Sequence, residues 1–342
     1  LFGLVSCNIS GPGNSCVSQT AYGNGVAHLF VRDLRTRVNP LRREMIYTEL
    51  LTPIATGGMY ALDAKVRANV DRVFRSTEVQ GRLTSGFVPA NNPAAPTLTA
   101  YDEVDFGLDL INTNNGWQSA SGLFKATSNF NQLIVGNFKS NGSTPVIIGT
   151  GATYMDSIPS VFVDDLNLYF LGDAGKDKAV CLPFSVGTAA TCVPPSGVSY
   201  AWREPSVSAA VLGTGPVLNV ANTSTGIHAY TLTVSYNGES LVDQVNVTTI
   251  APPTFTINND VACPGSSLSY TIDFGLAKLD PGYSISYPGL TATSPAVINN
   301  GVLTLSGTPT SNGPSVIVVT GTQSYNGLTC PFTLTIPFQD CC

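Results

Sequence analysis

Between Tyr60 and Asp71 the chain sets apolar Tyr60, Leu62, Ala64, Val66, Ala68 and Val70 against polar Asp63, Lys65, Arg67, Asn69 and Asp71. Period two over that length predicts an extended strand with one dry and one wet face, because successive Cβ atoms point to opposite sides of the pleat. Val104, Phe106, Leu108 and Leu110 repeat the pattern against Asp105, Gly107 and Asp109. Residues 117–138 open on Trp117, alternate through Gly122, Phe124 and Ala126, turn at Ser128-Asn129 and run on through Leu133, Ile134 and Val135. Residues 161–171 close the set, with Asp164 and Asp165 in their middle. With residues 26–31 and 45–51 (41–51 can also be drawn as a short helix), the count is about eight strands, the number a jelly-roll sandwich uses.

Only 11% of the 342 residues are charged, while Gly (33) and Pro (23) are frequent. That composition suits short strands joined by tight turns and argues against helical bundles. The length allows two or three domains. Net charge is −6, with 12 basic and 14 acidic side chains in residues 1–175 and 4 and 8 in residues 176–342. No part is basic enough for a nucleic-acid partner. No run approaches 18 apolar residues, so no membrane insertion is expected. The chain starts on Leu1 without a basic n-region and reads as a processed product, exported by a signal peptide to an extracellular or cell-surface location.

Eight cysteines, Cys7, Cys16, Cys181, Cys192, Cys263, Cys330, Cys341 and Cys342, lack the paired CxxC spacing of a zinc site, and only His28 and His228 accompany them. Disulfides in an oxidising compartment are the better reading. Cys7 and Cys16 predict a small local loop, two free thiols being the alternative. Cys341 and Cys342 cannot easily pair with each other; they are expected to reach Cys181, Cys192 or another subunit.

Behind a polar linker at Lys176-Asp177-Lys178, residues 198–202, 218–222, 228–238 and 243–250 read as strands, with Trp202 early and a turn at Asn237-Gly238. That pattern predicts an Ig-like sandwich. Cys192 precedes Trp202 instead of lying on a late strand, which leaves the usual inter-sheet bridge in doubt. Pro252-Pro253 marks the next boundary. Residues 262–272 and 302–338 supply the strands of a third sandwich. Cys263 on its first strand and Cys330 on its last predict a bridge closing a loop of about 68 residues, worth on the order of 4 kcal/mol in the chain-entropy picture. The fold class read from the sequence is all-β: a jelly-roll β-sandwich (1–174) followed by two Ig-like β-sandwich modules (175–251 and 252–342).

The first module also carries motifs in a distinctive order: Glu49, Pro53 and Gly57-Gly58 before Tyr60; W-x-x-x-S-G-x-F-x-A from Trp117 to Ala126; I-x-G-N-F from Ile134 to Phe138; and the strand bearing Asp164-Asp165. Over residues 20–172 this resembles the N-terminal sandwich of secreted and surface proteins of the Bacteroidota. The resemblance implies export, by the type IX route, and a carbohydrate-binding-module-like sandwich; it does not imply catalysis. Residues 198–250 resemble the PKD-like and Ig-like repeats of the same proteins, and L-S-G-T-P-T at 305–310 resembles an extracellular Ig-like repeat family. Asp156-Ser157-Ile158 resembles the Bacteroidota O-glycosylation site, which places the sugar on Ser157.

Candidate chemistry is sparse. Asp102, Glu103, Asp105 and Asp109 cluster in sequence, but alternation sends Asp105 and Asp109 to a wet face, and neither G-x-S-x-G nor H-E-x-x-H occurs. No catalytic residues and no cofactor are assigned. Asp164 and Asp165 are candidate ligands of a structural Ca²⁺, against the alternative of one solvated Asp and one in a turn hydrogen bond. Sugar binding needs an exposed aromatic platform: Trp117 is a candidate, although a Trp opening a strand is more often core, with Tyr101 and Phe87 as alternatives. Arg32, Arg35, Arg37, Arg42 and Arg43, with Arg67, Arg72, Arg75 and Arg82, suit acidic glycans or an acidic neighbouring molecule.

These features read as a non-enzymatic extracellular structural protein, a self-assembling filament or sheath subunit or surface adhesin, whose partners are other copies of itself. The rival reading is a glycan-binding module of a secreted carbohydrate-active protein, with polysaccharide as partner. The discriminating feature is whether Trp117, Tyr101 and Phe87 share one concave face.

Overall fold

The computed structural model of the chain describes residues 27–30, 45–50, 52–68, 74–75, 79–85, 100–106, 117–139, 147–148, 160–188, 194–205, 208–257, 261–262, 268–286, 290–292, 297–299, 302–309 and 315–340. Among them every regular element is a strand.

Ten strands build the first sandwich: β1 (Ala27–Phe30), β2 (Met45–Glu49), β3 (Met59–Ala68), β4 (Phe74–Arg75), β5 (Gln80–Thr84), β6 (Tyr101–Asp105), β7 (Gln118–Lys125), β8 (Gln132–Gly136), β9 (Ile147–Ile148) and β10 (Ser160–Gly172). One sheet runs β1-β10-β3-β7, the other β2-β8-β5-β6, and β4 pairs with β9. Setting that short pair aside, the eight main strands fall in the order 1-8-3-6 in one sheet and 2-7-4-5 in the other. This is the double Greek key of a jelly roll. Residues 45–49 are strand, not helix.

The alternation of β3 explains the core. Tyr60, Leu62, Ala64 and Val66 point inward and meet Leu83, Val104, Leu133 and Val135 of the facing sheet. Tyr60 stacks on Phe124 with ring centroids 5.4 Å apart and meets Phe170 at a tilt, 5.3 Å away. Gly122 faces Val104 so closely that a Cβ there would overlap Val104 Cγ1, which accounts for glycine in the S-G-x-F segment. β10 carries a bulge: its register against β3 breaks between Asp164 and Asn167, and Asp165 has a φ of 47°.

The second sandwich comprises β11 (Lys178–Ala179), β12 (Phe184–Val186), β13 (Ser199–Glu204), β14 (Ser208–Gly213), β15 (Leu218–Val220), β16 (Gly226–Tyr236) and β17 (Glu239–Thr249). The sheet β11-β17-β16-β13-β14 faces the pair β12-β15, and β11 lies parallel to β17. This arrangement is Ig-like. Trp202 is fully buried on β13 and donates its Nε1–H to Gly215 O at 2.9 Å. Where many Ig domains join their sheets by a disulfide, Phe184 of β12 here meets Tyr230 of β16 edge-on at 6.1 Å. Asn237 and Gly238 both have positive φ, 49° and 87°, in the two-residue loop of the β16–β17 hairpin. That geometry is the primed turn that matches strand twist.

The third sandwich holds β18 (Thr254–Ile257), β19 (Val261–Ala262), β20 (Leu268–Asp273), β21 (Lys278–Leu279), β22 (Ser284–Ser286), β23 (Leu290–Ala292), β24 (Val297–Asn299), β25 (Val302–Pro309), β26 (Ser315–Tyr325) and β27 (Leu328–Asp340). Its sheets are β18-β20-β25-β23, with β24 on β25, and β19-β27-β26-β21, with β22 on β26. Again an early strand, β19, lies parallel to the last. Tyr270, Ile272, Leu305, Ile317, Val319 and Ile336 form its centre.

The expected Cys263–Cys330 bridge is not formed: Cys330 bonds Cys181 instead. The length of β27 is the reason. Cys330 lies beside the hairpin turn, whereas β19, whose chain runs on to Cys263, pairs with Gln339 and Asp340 at the other end. Nine residues of strand, about 30 Å at 3.3 Å per residue, separate those positions, far beyond disulfide reach. Cys181 is therefore also closed to Cys341 and Cys342. Those two, with Cys7, Cys16, Cys192 and Cys263, lie outside the described residues.

Two different junctions fasten the sandwiches in series. Met59 and Ala61 sit on the outer face of β3, yet both are fully buried, packed with Leu171 and Ala174 into the same cluster as Trp202 and Tyr236. Around them Tyr236 OH donates to Asp63 Oδ2 at 2.6 Å, Leu123 N–H to Glu239 Oε2 at 2.9 Å, and Lys125 pairs with Asp243 at 2.7 Å. The second junction is the Cys181–Cys330 bridge, set in an apolar cluster with Ile250 and Ala277, and Gln323 Nε2 donates to Ala251 O at 2.9 Å.

Candidate functional site

The jelly roll leaves an outer face on each sheet, and each carries an arginine between two aromatic rings. On the β2-β8-β5-β6 sheet, register aligns Tyr47, Ile134, Arg82 and Glu103 across the strands. Arg82 lies 4.1 Å from the Tyr101 ring centroid and 4.2 Å from that of Phe138, and it pairs with Glu103 at 2.6 Å. On the opposite sheet, Arg67 of β3 lies 5.3 Å from the Trp117 ring and 5.0 Å from that of Phe162. Its cross-strand neighbour on β10 is Phe162, and Trp117 precedes the Gln118–Val66 pair on the β7 side. Arg67 Nε is enclosed without a hydrogen-bond partner.

Trp117 and Tyr101, named together from the sequence, are both exposed, at 40% and 41%. They do not form one platform. They belong to different sheets, and Tyr101 lies near the far end of β7, where its neighbour Asp102 accepts from Thr127 N–H at 2.8 Å. The eight-residue strand β7, roughly 26 Å long, separates Trp117 from that end. Phe87 lies outside the described residues, as do Arg32, Arg35, Arg37, Arg42, Arg43, Asp109 and Ser157.

The acidic cluster disperses into separate contacts: Asp102 with Thr127, Glu103 with Arg82, and exposed Asp105 with Lys139 Nζ at 3.5 Å. Asp164 and Asp165 serve the β10 bulge. Asp164 Oδ1 accepts from Asp165 N–H at 2.9 Å, and Asp165 O accepts from Asn167 Nδ2 at 2.8 Å. Among the described residues no group of three or more His, Cys, Asp or Glu is placed to hold a metal ion.

Two features escaped the sequence. His228 and Glu204 form a buried pair, with Nδ1 2.5 Å from Glu204 Oε1 and Nε2 2.8 Å from Ser224 O. Both ring nitrogens are engaged by groups of the same sandwich and the imidazole is buried, so the pair reads as structural. At the first junction, burial pushes the Asp63 carboxyl above its ordinary value. Burial, and then Asp63, likewise raise the Tyr236 phenol. The signal for this junction was present: Met59 and Ala61 are apolar at positions where alternation calls for polar residues.

No protein-family profile matches the chain, and no curated protein matches it. Among solved structures, the Dpr2 Ig1–Ig2 complex with DIP-Theta is 11% identical, covering 86% of this chain and 98% of that chain at a TM-score of 0.24. An ICAM-5 ectodomain fragment is 12% identical, covering 90% and 81% at 0.27. A three-Ig titin fragment is 9% identical, covering 87% and 99% at 0.23. Likenesses of that size carry no argument. The strand order itself defines the class: an all-β tandem of a jelly roll and two Ig-like sandwiches.

Proposed function

We propose that this is a non-enzymatic extracellular structural protein of adhesive type, divided into modules at 1–174, 175–251 and 252–342. The observation that carries the reading is the pair of junctions. A buried interface fixes the jelly roll to the first Ig-like sandwich, and a disulfide fixes that sandwich to the next. Such fastening suits a part that transmits tension or holds a binding face at a set position. The disulfide also favours an oxidising location outside the cell. The dispersed acids and the enclosed His228–Glu204 pair offer no catalytic constellation among the described residues.

Within that reading the finer proposal is self-assembly, with other copies of the chain as partners. Negative-stain electron microscopy of native material, with and without reductant, tests it. Filaments or sheets support assembly, and loosening on reduction adds cross-linking through cysteine. Monodisperse particles in both conditions sink the polymer while leaving an adhesin. The glycan-binding alternative is favoured by exposed Trp117 beside Arg67 and weakened by the separation of Trp117 from Tyr101.

A further inference from the structure

Arg82 and Arg67 are alike in being held by two rings and unlike in one respect. Arg82 has Glu103 directly across the strand pair, whereas Arg67 has Phe162 across from it on β10 and Trp117 just beyond the last β3–β7 pair. Among the described residues no carboxylate pairs with Arg67, and its Nε is enclosed with no acceptor. An enclosed charged donor without an acceptor is costly, so a protein that keeps one usually has a use for it. We propose that Arg67, with Trp117, recognises the carboxylate of an acidic sugar, so that the jelly roll binds a uronic-acid polysaccharide. This inference rests on the glycan-binding alternative and names its ligand class.

The chemistry follows from the fork and its walls. A guanidinium presents parallel N–H donors that match a carboxylate in bidentate fashion. Aromatic faces on both sides of Arg67 hold its plane before any ligand arrives, which removes part of the ordering cost of binding. Trp117, 40% exposed, offers the sugar ring an apolar surface beside the fork. A lone side-chain carboxylate of another protein would use the fork and leave the indole uncovered, so the sugar is the better match. Lys65 lies on the same face two residues away, but its Nζ donates to Ser119 Oγ at 2.6 Å and Asp164 stands in register opposite it. Among the described residues of this face, Arg67 is therefore the cation left for the ligand.

The test is calorimetric titration of the full chain with polygalacturonate and, separately, with a neutral galactan. Polygalacturonate should bind and galactan should not. Arg67→Ala should weaken binding about tenfold or more. Arg67→Lys, which keeps the charge and loses the fork, should fall between, and Trp117→Ala should also weaken it. Arg203→Ala, on the second sandwich, should bind as wild type, and thermal melts of each variant confirm folding. The proposal is overturned if the wild type ignores polygalacturonate or binds galactan equally. It is also overturned if Arg67→Ala and Trp117→Ala bind unchanged, or if Arg67→Ala alters only self-association in sedimentation. Polygalacturonate binding that survives Arg67→Ala removes this site yet leaves the glycan-binding alternative standing, whereas a wild type that ignores polygalacturonate and galactan alike removes both.

Discussion

At the scale of residues, the weight falls on side chains whose neighbours leave no freedom. Gly122 is one: any Cβ overlaps Val104 Cγ1 on the facing sheet. Gly122→Ala should destabilise the jelly roll by about 1–3 kcal/mol, the usual cost of overpacking, read as a lower denaturation midpoint. An unchanged midpoint would mean the sheets give way more easily than their packing implies. The His228–Glu204 pair is another. Glu204→Ala leaves the buried imidazole without its hydrogen-bond partner and should cost about 1–3 kcal/mol, measured by urea titration; a loss below about 0.5 kcal/mol, the range of a surface substitution, would reclassify the pair as incidental. Glycine in the S-G-x-F segment was visible from residue order alone. The buried His228–Glu204 contact was not, because its members lie 24 positions apart and meet only when β13 pairs with β16.

At the scale of elements, alternation did most of the predictive work. It placed β3, β7, β8 and β10, since period two follows from the pleat whatever the fold. It failed where a second surface intervenes. Met59 and Ala61 occupy the wet face of β3 but are covered by the second sandwich, so their apolar character marks a junction, not an error in the strand. The same cover encloses Asp63 and raises its carboxyl above the ordinary 3.8. The sign follows from linkage: the folded junction binds the proton more tightly than the unfolded chain. Its contribution to stability is complete below 3.8 and fades as pH rises through the raised value. Asp63→Asn, which keeps an oxygen for Tyr236, should therefore gain on wild type as pH climbs from 3 to 6, flattening that part of the stability curve. A difference between the two that stays constant with pH would remove Asp63 from the account. The cysteine pairing went astray for a related reason: strand membership says which sheet a residue joins, but only hairpin register says which end of β27 it occupies.

At the scale of the whole molecule, the jelly roll and the Ig-like sandwiches were legible because turn spacing and an early Trp survive in any order of reading. The junctions between them were not, since they depend on faces that the pattern of a single strand does not connect. The central claim is that the sandwiches form a fastened series, with the second and third closed into one covalent unit. Single-molecule extension between the chain termini tests it most directly. The Cys181–Cys330 bridge spans a sequence separation of 149 residues, so it should withhold about 500 Å of contour at 3.3–3.6 Å per residue. Under oxidising conditions the fully extended chain should fall short by that length, and addition of reductant or Cys181→Ser should restore it. Equal contour lengths with and without reductant would show that the bridge is not formed and would contradict the fastened series.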